Sequence, residues 1–428
     1  MDSSLPPELL VAVVNNLADA RDAASFACAG REGRDAYRAS RAFHRVRVAR
    51  DGEVHEPASG AFDVTVAPGE SVAEAIARCP TGGCVLLLPG THSTIDNVNV
   101  DHDVHVFGRR QTTVNARVHV HSDATFTGIT FAQVAIVIGA RARFRGCVFH
   151  NFVAWCAGAD PTFDRCDFHG HVFVGGEDTR GRFTRNGVHH VGLNVESGAS
   201  PVVSLNTFWG AGHADYNTSI FVALLPSREI TIADNIIADA YVGIVVAALG
   251  PSACRIERNA ISRCVRGVQL EGEVVAHIAD NDMVGNNTAI SMMDWTCATI
   301  AGNRIHGDGD GDGIDLKDRS ESTCENNEFD NNGVHVAVND TSHATVTDNR
   351  FRNGVVGIFF SQDATCTHRR NSLRNVWVPS VRQWHIQATL GAVGLSLLLA
   401  FRPRSLREAP GSLAALVVGA GIAHRLCR

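Results

Sequence analysis

The chain has 428 residues, 45% of them apolar, and a formal net charge of −7. Its length and composition allow a large buried core. The negative charge argues against nucleic acid as a partner, because phosphate binding relies on an excess of Lys and Arg.

The first 50 residues are helical by pattern. The Pro6-Pro7 pair stands where a helix would begin, and a second helix is predicted to start near Asp22. Apolar residues at helical spacing follow the proline pair, and they are Leu9, Leu10, Val13, Val14 and Leu17. The pattern predicts a small helical module over residues 1–50.

This module resembles an F-box. The family opens with Leu-Pro-x-Glu-Leu-Leu and continues with an apolar-Cys-Arg segment, which Phe26, Cys28 and Arg31 match. Gly33 stands where the family usually carries a tryptophan. The resemblance implies docking on the Skp adaptor of a cullin–RING ubiquitin ligase. The residues that it assigns to adaptor binding are Leu5, Pro6, Glu8, Leu9, Leu10, Val13, Leu17 and Phe26.

A short helix and a buried strand are predicted next. Ser71 is a suitable N-cap for an amphipathic helix over Ala73–Cys79, and Val85–Leu88 is the first apolar strand. Since an uncovered β-coil exposes an unpaired edge, the helix is predicted to cap the first coil.

The central part of the chain repeats with a period near 20 residues. Each marker residue usually has an apolar residue three positions before it and another two positions after it, although His368 breaks this pattern. A fixed period built from short β-like pieces predicts a solenoid with one coil per repeat. In chain order the markers are Cys147, Cys166, Asn186, Asn206, Asn235, Asn259, Asn281, Asn303, Asn327, Asn349 and Asn371.

Asparagine markers are predicted to occupy a corner of each coil. Asparagine tolerates the left-handed backbone region, and its amide can bond the amides above and below to form a ladder. The residue two after the marker should point inward, and the residue three after it should face solvent. A second, usually glycine-led series supplies another strand per coil, at Gly243, Gly267, Gly313, Gly333 and Gly357.

Residues 62–376 resemble the right-handed parallel β-helix of the pectin-lyase-like superfamily, and more narrowly its carbohydrate-binding and sugar-hydrolase repeat branch. The predicted fold class is mainly β. It comprises a solenoid of about a dozen coils, a small N-terminal α-helical F-box and a hydrophobic C-terminal helical tail.

Four aromatic residues occupy the third position after consecutive markers. They are predicted to form an outward strip for substrate, extended by two residues of the long insertion that follows Asn206. A metal site and a plain solvated face are the alternatives for this strip. The predicted substrate-binding residues are His150, His169, His189, Trp209, His213 and Tyr216.

The segment HGDGDGDGIDL places Asp308, Asp310 and Asp312 at alternate positions. An EF-hand would need a glutamate where Arg319 stands, and flanking helices as well. Gly/Asp turn chemistry explains the segment more simply. No metal or cofactor is therefore predicted.

The tail, residues 380–428, contains two uncharged apolar runs, Ile386–Phe401 and Ala409–Ala423. Each run is shorter than the ~20 residues of a comfortable membrane span. A membrane hairpin or anchor is predicted, and a helical cap on the last coil is the alternative.

The start of the chain lacks the basic and apolar regions of a signal peptide. The twelve cysteines include no C-x-x-C pair, and Cys147 and Cys166 occupy marker positions, which indicates buried free thiols in a reducing compartment. We therefore expect the cytoplasmic or nuclear side of the cell, with anchoring through the C-terminus, and no secretion.

The predicted function is the substrate-recognition subunit of an SCF-type ubiquitin ligase, with no catalytic residues. The alternative is an intracellular carbohydrate-binding or polysaccharide-cleaving β-helix protein. Asp312 with Asp315, or Glu177 with Asp178, could supply two carboxylates. Neither pair recurs on successive coils, so the sequence predicts no catalytic cleft.

Overall fold

The computed structural model describes residues 62–109, 111–210, 217–361 and 363–382. They form a parallel β-solenoid of about 14 turns, slightly more than the predicted dozen. Each turn contributes strands to three sheets, and each strand pairs in parallel with its equivalents in the neighbouring turns.

Sheet 1 precedes the marker in each turn. Its inward side chains alternate with polar ones, as where buried Phe144 lies between exposed Arg143 and Arg145. Its strands are β1 (Val64–Val66), β2 (Gly83–Leu87), β5 (Val104–Gly108), β8 (Thr125–Thr127), β11 (Arg143–Arg145), β14 (Thr162–Asp164), β17 (Arg182–Thr184), β20 (Val202–Ser204), β23 (Glu229–Ala233), the second parts of β25 (Val242–Glu257) and β27 (Arg266–Ala279), β30 (Cys297–Ala301), β33 (Glu321–Glu325), β36 (His343–Thr347) and β38 (Thr365–Arg369).

Sheet 2 follows the marker. Its strands are β3 (Gly90–Ser93), β6 (Thr112–Asn115), β9 (Thr130–Phe131), β12 (Val148–Phe149), β15 (Asp167–Phe168), β18 (Gly187–His189), β21 (Thr207–Trp209), β24 (Ile236–Ala238), β26 (Ala260–Ser262), β28 (Asp282–Val284), β31 (Arg304–His306), β34 (Glu328–Asp330) and the first parts of β37 (Arg350–Phe360) and β39 (Ser372–Arg382).

Sheet 3 completes the turn, and it contains four of the five positions of the predicted glycine-led series. Its strands are β4 (Val98–Val100), β7 (Val118–Val120), β10 (Ala135–Ile138), β13 (Val153–Cys156), β16 (Val172–Gly175), β19 (Leu193–Glu196), β22 (Thr218–Leu224), the first parts of β25 and β27, β29 (Thr288–Met292), β32 (Asp312–Leu316), β35 (Val334–Val338) and the last parts of β37 and β39.

The predicted capping helix is present as α1, Val72–Arg78. The Ser71 hydroxyl accepts a hydrogen bond from the Glu74 backbone N–H at 3.2 Å, as an N-cap should. Val72, Ala75 and Ile76 are buried against the first turns. The helix therefore covers one end of the core.

Aromatic rings stack through the interior of the early turns. Phe126, Phe144 and Phe163 lie in register, with ring centroids 4.9 and 4.7 Å apart. A parallel column from sheet 2 meets them edge to face, for example Phe149 against Phe163 at 5.8 Å. The rings of paired residues in neighbouring turns are separated by about one strand spacing, so they stack along the solenoid axis.

The predicted amide ladder is confirmed. From Asn206 to Asn371 each side-chain Nδ2 donates to the Oδ1 of the next asparagine at 2.9–3.1 Å. The same Oδ1 accepts the preceding asparagine's backbone N–H at 2.9 Å, for example Asn259 from Asn235. Upstream, Cys147 and Cys166 are buried free thiols, as predicted.

The left-handed corner residue was assigned wrongly. Positive φ falls on the residue before the marker, as at Asp234 (57°), Arg258 (54°) and Asp280 (54°). The marker itself must aim its amide along the interior to reach its neighbours. The exposed residue before it therefore adopts the left-handed conformation.

Several predictions lie outside the described residues. They are the F-box module over residues 1–50 with all its adaptor-binding residues, the insertion carrying His213 and Tyr216, and the apolar runs of the tail. Within the described ranges α1 is the only helix, and none is long and apolar enough to cross a membrane.

Candidate functional site

The predicted aromatic strip forms a stacked column beside sheet 2. The ring centroids of His150 and His169 are 5.2 Å apart, those of His169 and His189 are 4.9 Å apart, and Trp209 follows at 5.5 Å. His150 and His169 are exposed, but His189 is only 9% exposed. Neighbouring side chains cover His189, including Asp167 at 3.7 Å, so it does not face open solvent as predicted.

A second set of side chains comes together on the outward face of sheet 3. We call it the sheet 3 polar patch. Asp315 lies between Ile314 and Leu316, both fully buried in the core, so alternation turns its side chain away from the core. The patch comprises Arg266, Gln269, Glu271, Ser291, Asp312, Asp315, Lys317 and Asn339.

Parallel register builds the patch from four consecutive turns. Gln269 pairs with Ser291, and Ser291 pairs with Asp315, so these three side chains lie one strand spacing apart. A second column of paired residues lies three positions earlier in these strands. There Arg266 pairs with Thr288, and Thr288 pairs with Asp312. Inward neighbours such as Ile290 are completely buried, so the core holds this face in place.

Two donors hold the Asp315 carboxylate. The Lys317 ammonium lies 2.7 Å from Oδ2, and the Asn339 amide donates to Oδ1 at 2.9 Å. Asp315 is only 6% exposed, whereas the Lys317 side chain lies at the surface and is 44% exposed. Both oxygens of Asp315 act as acceptors, which is the role of an ionised carboxylate.

A further chain of hydrogen bonds crosses the patch from Arg266. Its guanidinium donates to the Gln269 side-chain oxygen at 2.8 Å, and the Gln269 amide donates to the Glu271 carboxylate. Gln269 is buried, so both ends of its amide are satisfied within the protein. These contacts hold the polar groups of the patch in fixed orientations.

Asp312 has a different environment. Burial, and after it the nearby charge of Asp315, raise the pKa of its carboxyl to about 7 against the opposing charge of Lys317. One strand thus carries a carboxyl that keeps its proton near neutral pH and a carboxylate that accepts from an ammonium. Two acidic groups in opposed environments are the arrangement of general acid–base chemistry.

Asp312 and Asp315 are candidate carboxylates by sequence, with no catalytic cleft predicted because acids do not recur on neighbouring coils. In the structure an amide, a hydroxyl and an ammonium lie around Asp315 instead, from Asn339, Ser291 and Lys317. The sequence did contain a sign of the patch, namely a change from apolar to polar residues two positions after the glycine-led position. In successive turns this position is occupied by Val245, Gln269, Ser291 and Asp315.

The other nominated acids do not assemble into a comparable site. Glu177 lies 3.9 Å from Arg228 at the surface, and Asp164 bonds Arg185 at 2.6 Å. In the aspartate-rich segment, Asp308 accepts from the Asp310 backbone at 3.2 Å, as in an Asx turn. Across the described ranges, no three His, Cys, Asp or Glu side chains are placed to hold a metal ion.

Two family models match the chain. The model described as "Right handed beta helix region" matches residues 82–270. This match covers somewhat less than half of the chain and agrees with the parallel β-solenoid of the described residues. The model described as "Periplasmic copper-binding protein (NosD)" matches residues 203–378. Because the described part of that stretch lacks a cluster of potential metal ligands, copper has no role in the proposal below.

Two solved structures are distantly similar to this β-helix. A double mutant of the periplasmic alginate epimerase AlgG aligns at 11% identity and a TM-score of 0.40, covering 68% of this chain and 85% of that one. The family 28 exopolygalacturonase of Yersinia enterocolitica aligns at 10% identity and 0.27, covering 72% and 75%. Scores this low support no statement about function. Comparison with curated protein sequences gave no match.

Proposed function

We propose that this β-helix binds a carbohydrate polymer along the outward face of sheet 3 and hydrolyses it with Asp312 and Asp315. The observation that carries the proposal is the pairing of two carboxyl groups in opposed environments on one strand, β32. Carbohydrate binding and cleavage was the alternative to the ligase function in the sequence analysis. The proposal departs from the expectation of a non-catalytic adaptor.

Each carboxyl group has a distinct role in the proposed reaction. Protonated Asp312 donates its proton to the glycosidic oxygen as the bond from that oxygen to the anomeric carbon breaks. Asp315 takes a proton from the water whose oxygen bonds to the anomeric carbon. Lys317, whose ammonium lies 2.7 Å from Oδ2 of Asp315, holds this carboxylate in place.

The shape of the molecule also favours an extended ligand. A β-solenoid presents repeated strands in one flat face, and such elongated faces suit linear partners. The patch spans four turns, contains hydrogen-bond donors and acceptors, and reaches solvent at Lys317, which is 44% exposed. Sugar hydroxyls, which both donate and accept hydrogen bonds, would complement these groups.

The ubiquitin-ligase function stays a prediction, because its adaptor-binding residues lie outside the described ranges. The same holds for membrane attachment through the tail and for the cellular compartment. The polymer-binding proposal concerns the β-helix alone.

A reducing-end assay on the full-length protein tests the proposal. The panel contains polygalacturonate, alginate, xylan and soluble cellulose. We expect wild-type protein to release reducing ends from at least one polymer. Asp312→Asn and Asp315→Asn should each lower kcat by about 100-fold or more, because each removes one partner of the acid–base pair. Asp160→Asn, at an exposed carboxyl away from the patch, should retain the wild-type rate.

The pH profile sharpens this test. The general acid must be protonated, so activity should fall as the pH rises past about 7, where Asp312 titrates. Absence of reducing ends from every polymer of the panel would contradict the proposal. So would a wild-type rate in Asp312→Asn.

A further inference from the structure

An exposed indole lies at the edge of sheet 3, next to the polar patch. Trp295 follows β29 in the corner that leads to β30, and it is 60% exposed. The preceding strand carries Ser291, a patch residue that pairs with Asp315 in the next turn. Among the described tryptophans, Trp155 is fully buried, whereas Trp295 and Trp377 are exposed.

Arg319 supports one face of this indole. Its guanidinium carbon lies 4.5 Å from the centroid of the Trp295 ring. A guanidinium stacks well on an aromatic face, and the contact fixes the plane of the ring. Trp295 is still 60% exposed with Arg319 in place, which leaves indole surface available to a ligand.

The backbone beneath the pair is held rigidly by a ladder of aspartates. The Asp294 carboxylate accepts from the Gly272 backbone at 3.1 Å, Asp318 accepts from Asp294 at 3.2 Å, and Asp340 accepts from Asp318 at 3.0 Å. All three aspartates have φ between 54° and 62°. The corner therefore repeats the same conformation in successive turns.

Two buried hydroxyl hydrogen bonds also stabilise this corner. The Thr296 hydroxyl donates to the Ser320 hydroxyl at 3.1 Å, and the Ser320 hydroxyl donates to the Lys317 carbonyl at 2.7 Å. Both hydroxyl-bearing residues are buried. A platform fixed in advance loses little conformational entropy when it binds a ligand.

The chain connects this platform directly to the acid–base pair. Strand β32 carries Asp315 and leads through Lys317 to Arg319, four residues later. Since β32 ends at Leu316 and the chain then turns, with Asp318 at a φ of 62°, the extended rise of about 3.3 Å per residue gives an upper limit of roughly 13 Å between Asp315 and Arg319. A polymer that crosses the patch along the strand direction, from Asp312 past Asp315, would meet the indole at the edge of sheet 3.

We propose that Trp295 and Arg319 form a sugar-stacking subsite for the polymer that the polar patch hydrolyses. The apolar face of a pyranose ring lies on the indole, and Arg319 holds the indole plane from behind. This inference rests on the proposed function and adds the residues that fix where the polymer lies. Trp295 is a binding residue and Arg319 a positioning residue.

Steady-state kinetics of full-length variants test the subsite, on whichever polymer of the four-member panel the wild type cleaves. Trp295→Ala should raise KM about tenfold or more and change kcat less than about threefold. Trp295→Phe, which keeps a flat ring, should recover most of the affinity. Arg319→Ala should raise KM by an intermediate factor. Trp377→Ala, at an exposed indole on the last strand, is the matched control and should behave as wild type.

Affinity electrophoresis in gels containing the same polymer gives a reading that does not depend on turnover. Asp312→Asn should still be retarded, and Asp312→Asn combined with Trp295→Ala should migrate freely. A wild-type KM in Trp295→Ala overturns the subsite and leaves the proposed hydrolysis standing. If wild-type protein neither cleaves nor is retarded by any of the four polymers, the proposed function and the subsite fail together.

Discussion

The amide ladder inside the solenoid and the polar patch outside it are both columns of polar side chains stacked turn upon turn. In the ladder every turn contributes the same residue, and each amide satisfies its neighbours, as Asn259 does between Asn235 and Asn281. In the patch each turn contributes a different residue type, and the outward position changes from Gln269 to Ser291 to Asp315. Equivalent positions that carry the same residue type in every turn therefore have a structural role. Equivalent positions whose residue type changes from turn to turn form the candidate site.

The largest effect is expected from breaking the ladder. Asn259→Ala removes a side chain that makes two donor and two acceptor bonds and is 1% exposed. Its loss leaves buried donors of Asn235 unpaired, and we expect a loss of about 3–5 kcal/mol in the free energy of unfolding. Urea denaturation measures it. The exposed Asn287→Ala should change stability by less than about 0.5 kcal/mol, and a similar loss in both variants would contradict the account.

His335 is an interior polar group that interrupts the small residues found at its position in other turns, such as Gly313 and Gly357. It is fully buried and stacks on Phe351 at 5.2 Å, and its Nδ1 accepts a hydrogen bond from the Asn332 side-chain amide at 3.1 Å. Burial lowers the pKa of its imidazole from 6.5 to about 4. The neutral ring is therefore the form that the fold accommodates.

The sign of the pH dependence follows from that shift. The contribution of neutral His335 is fully present above pH 6.5 and is lost as the pH falls towards 4, because the unfolded chain binds the proton first. We expect about 3 kcal/mol to be lost over this range. Chemical denaturation at a series of pH values should show a flatter acid limb for His335→Leu than for wild type. Equal slopes for the two proteins would refute this assignment.

Asp312 should have the opposite pH dependence to His335, because ionisation of its buried carboxyl destabilises the fold at high pH. Its carboxyl ionises at 3.8 in the unfolded chain and at about 7 in the fold, so stability decreases as the pH rises between these values. At pH 6 Asp312→Asn should stabilise the protein by about 3 kcal/mol, and at pH 3.5 the difference should vanish. Asp178→Asn serves as the control and should show no such pH-dependent gain in the same denaturation series.

The repeat was readable from the sequence because the interior demands the same chemistry in every turn. The spacing from Asn206 to Asn371 located the ladder, and Ser71 located the capping helix. The left-handed corner was misplaced by one residue, since spacing alone does not say which way an amide points. The patch was missed because its members differ in type and are brought together only by the register of sheet 3.

The most direct measurement of the central claim is the titration of Asp312 itself. The Asp312 resonance in the carboxyl ¹³C spectrum of ¹³C-aspartate-labelled protein is identified by its absence in Asp312→Asn. We predict that it titrates with a pKa of about 7, far above the ordinary 3.8. Titration near 4 would show an ordinary surface carboxylate and would contradict the assignment of Asp312 as the proton donor of the site.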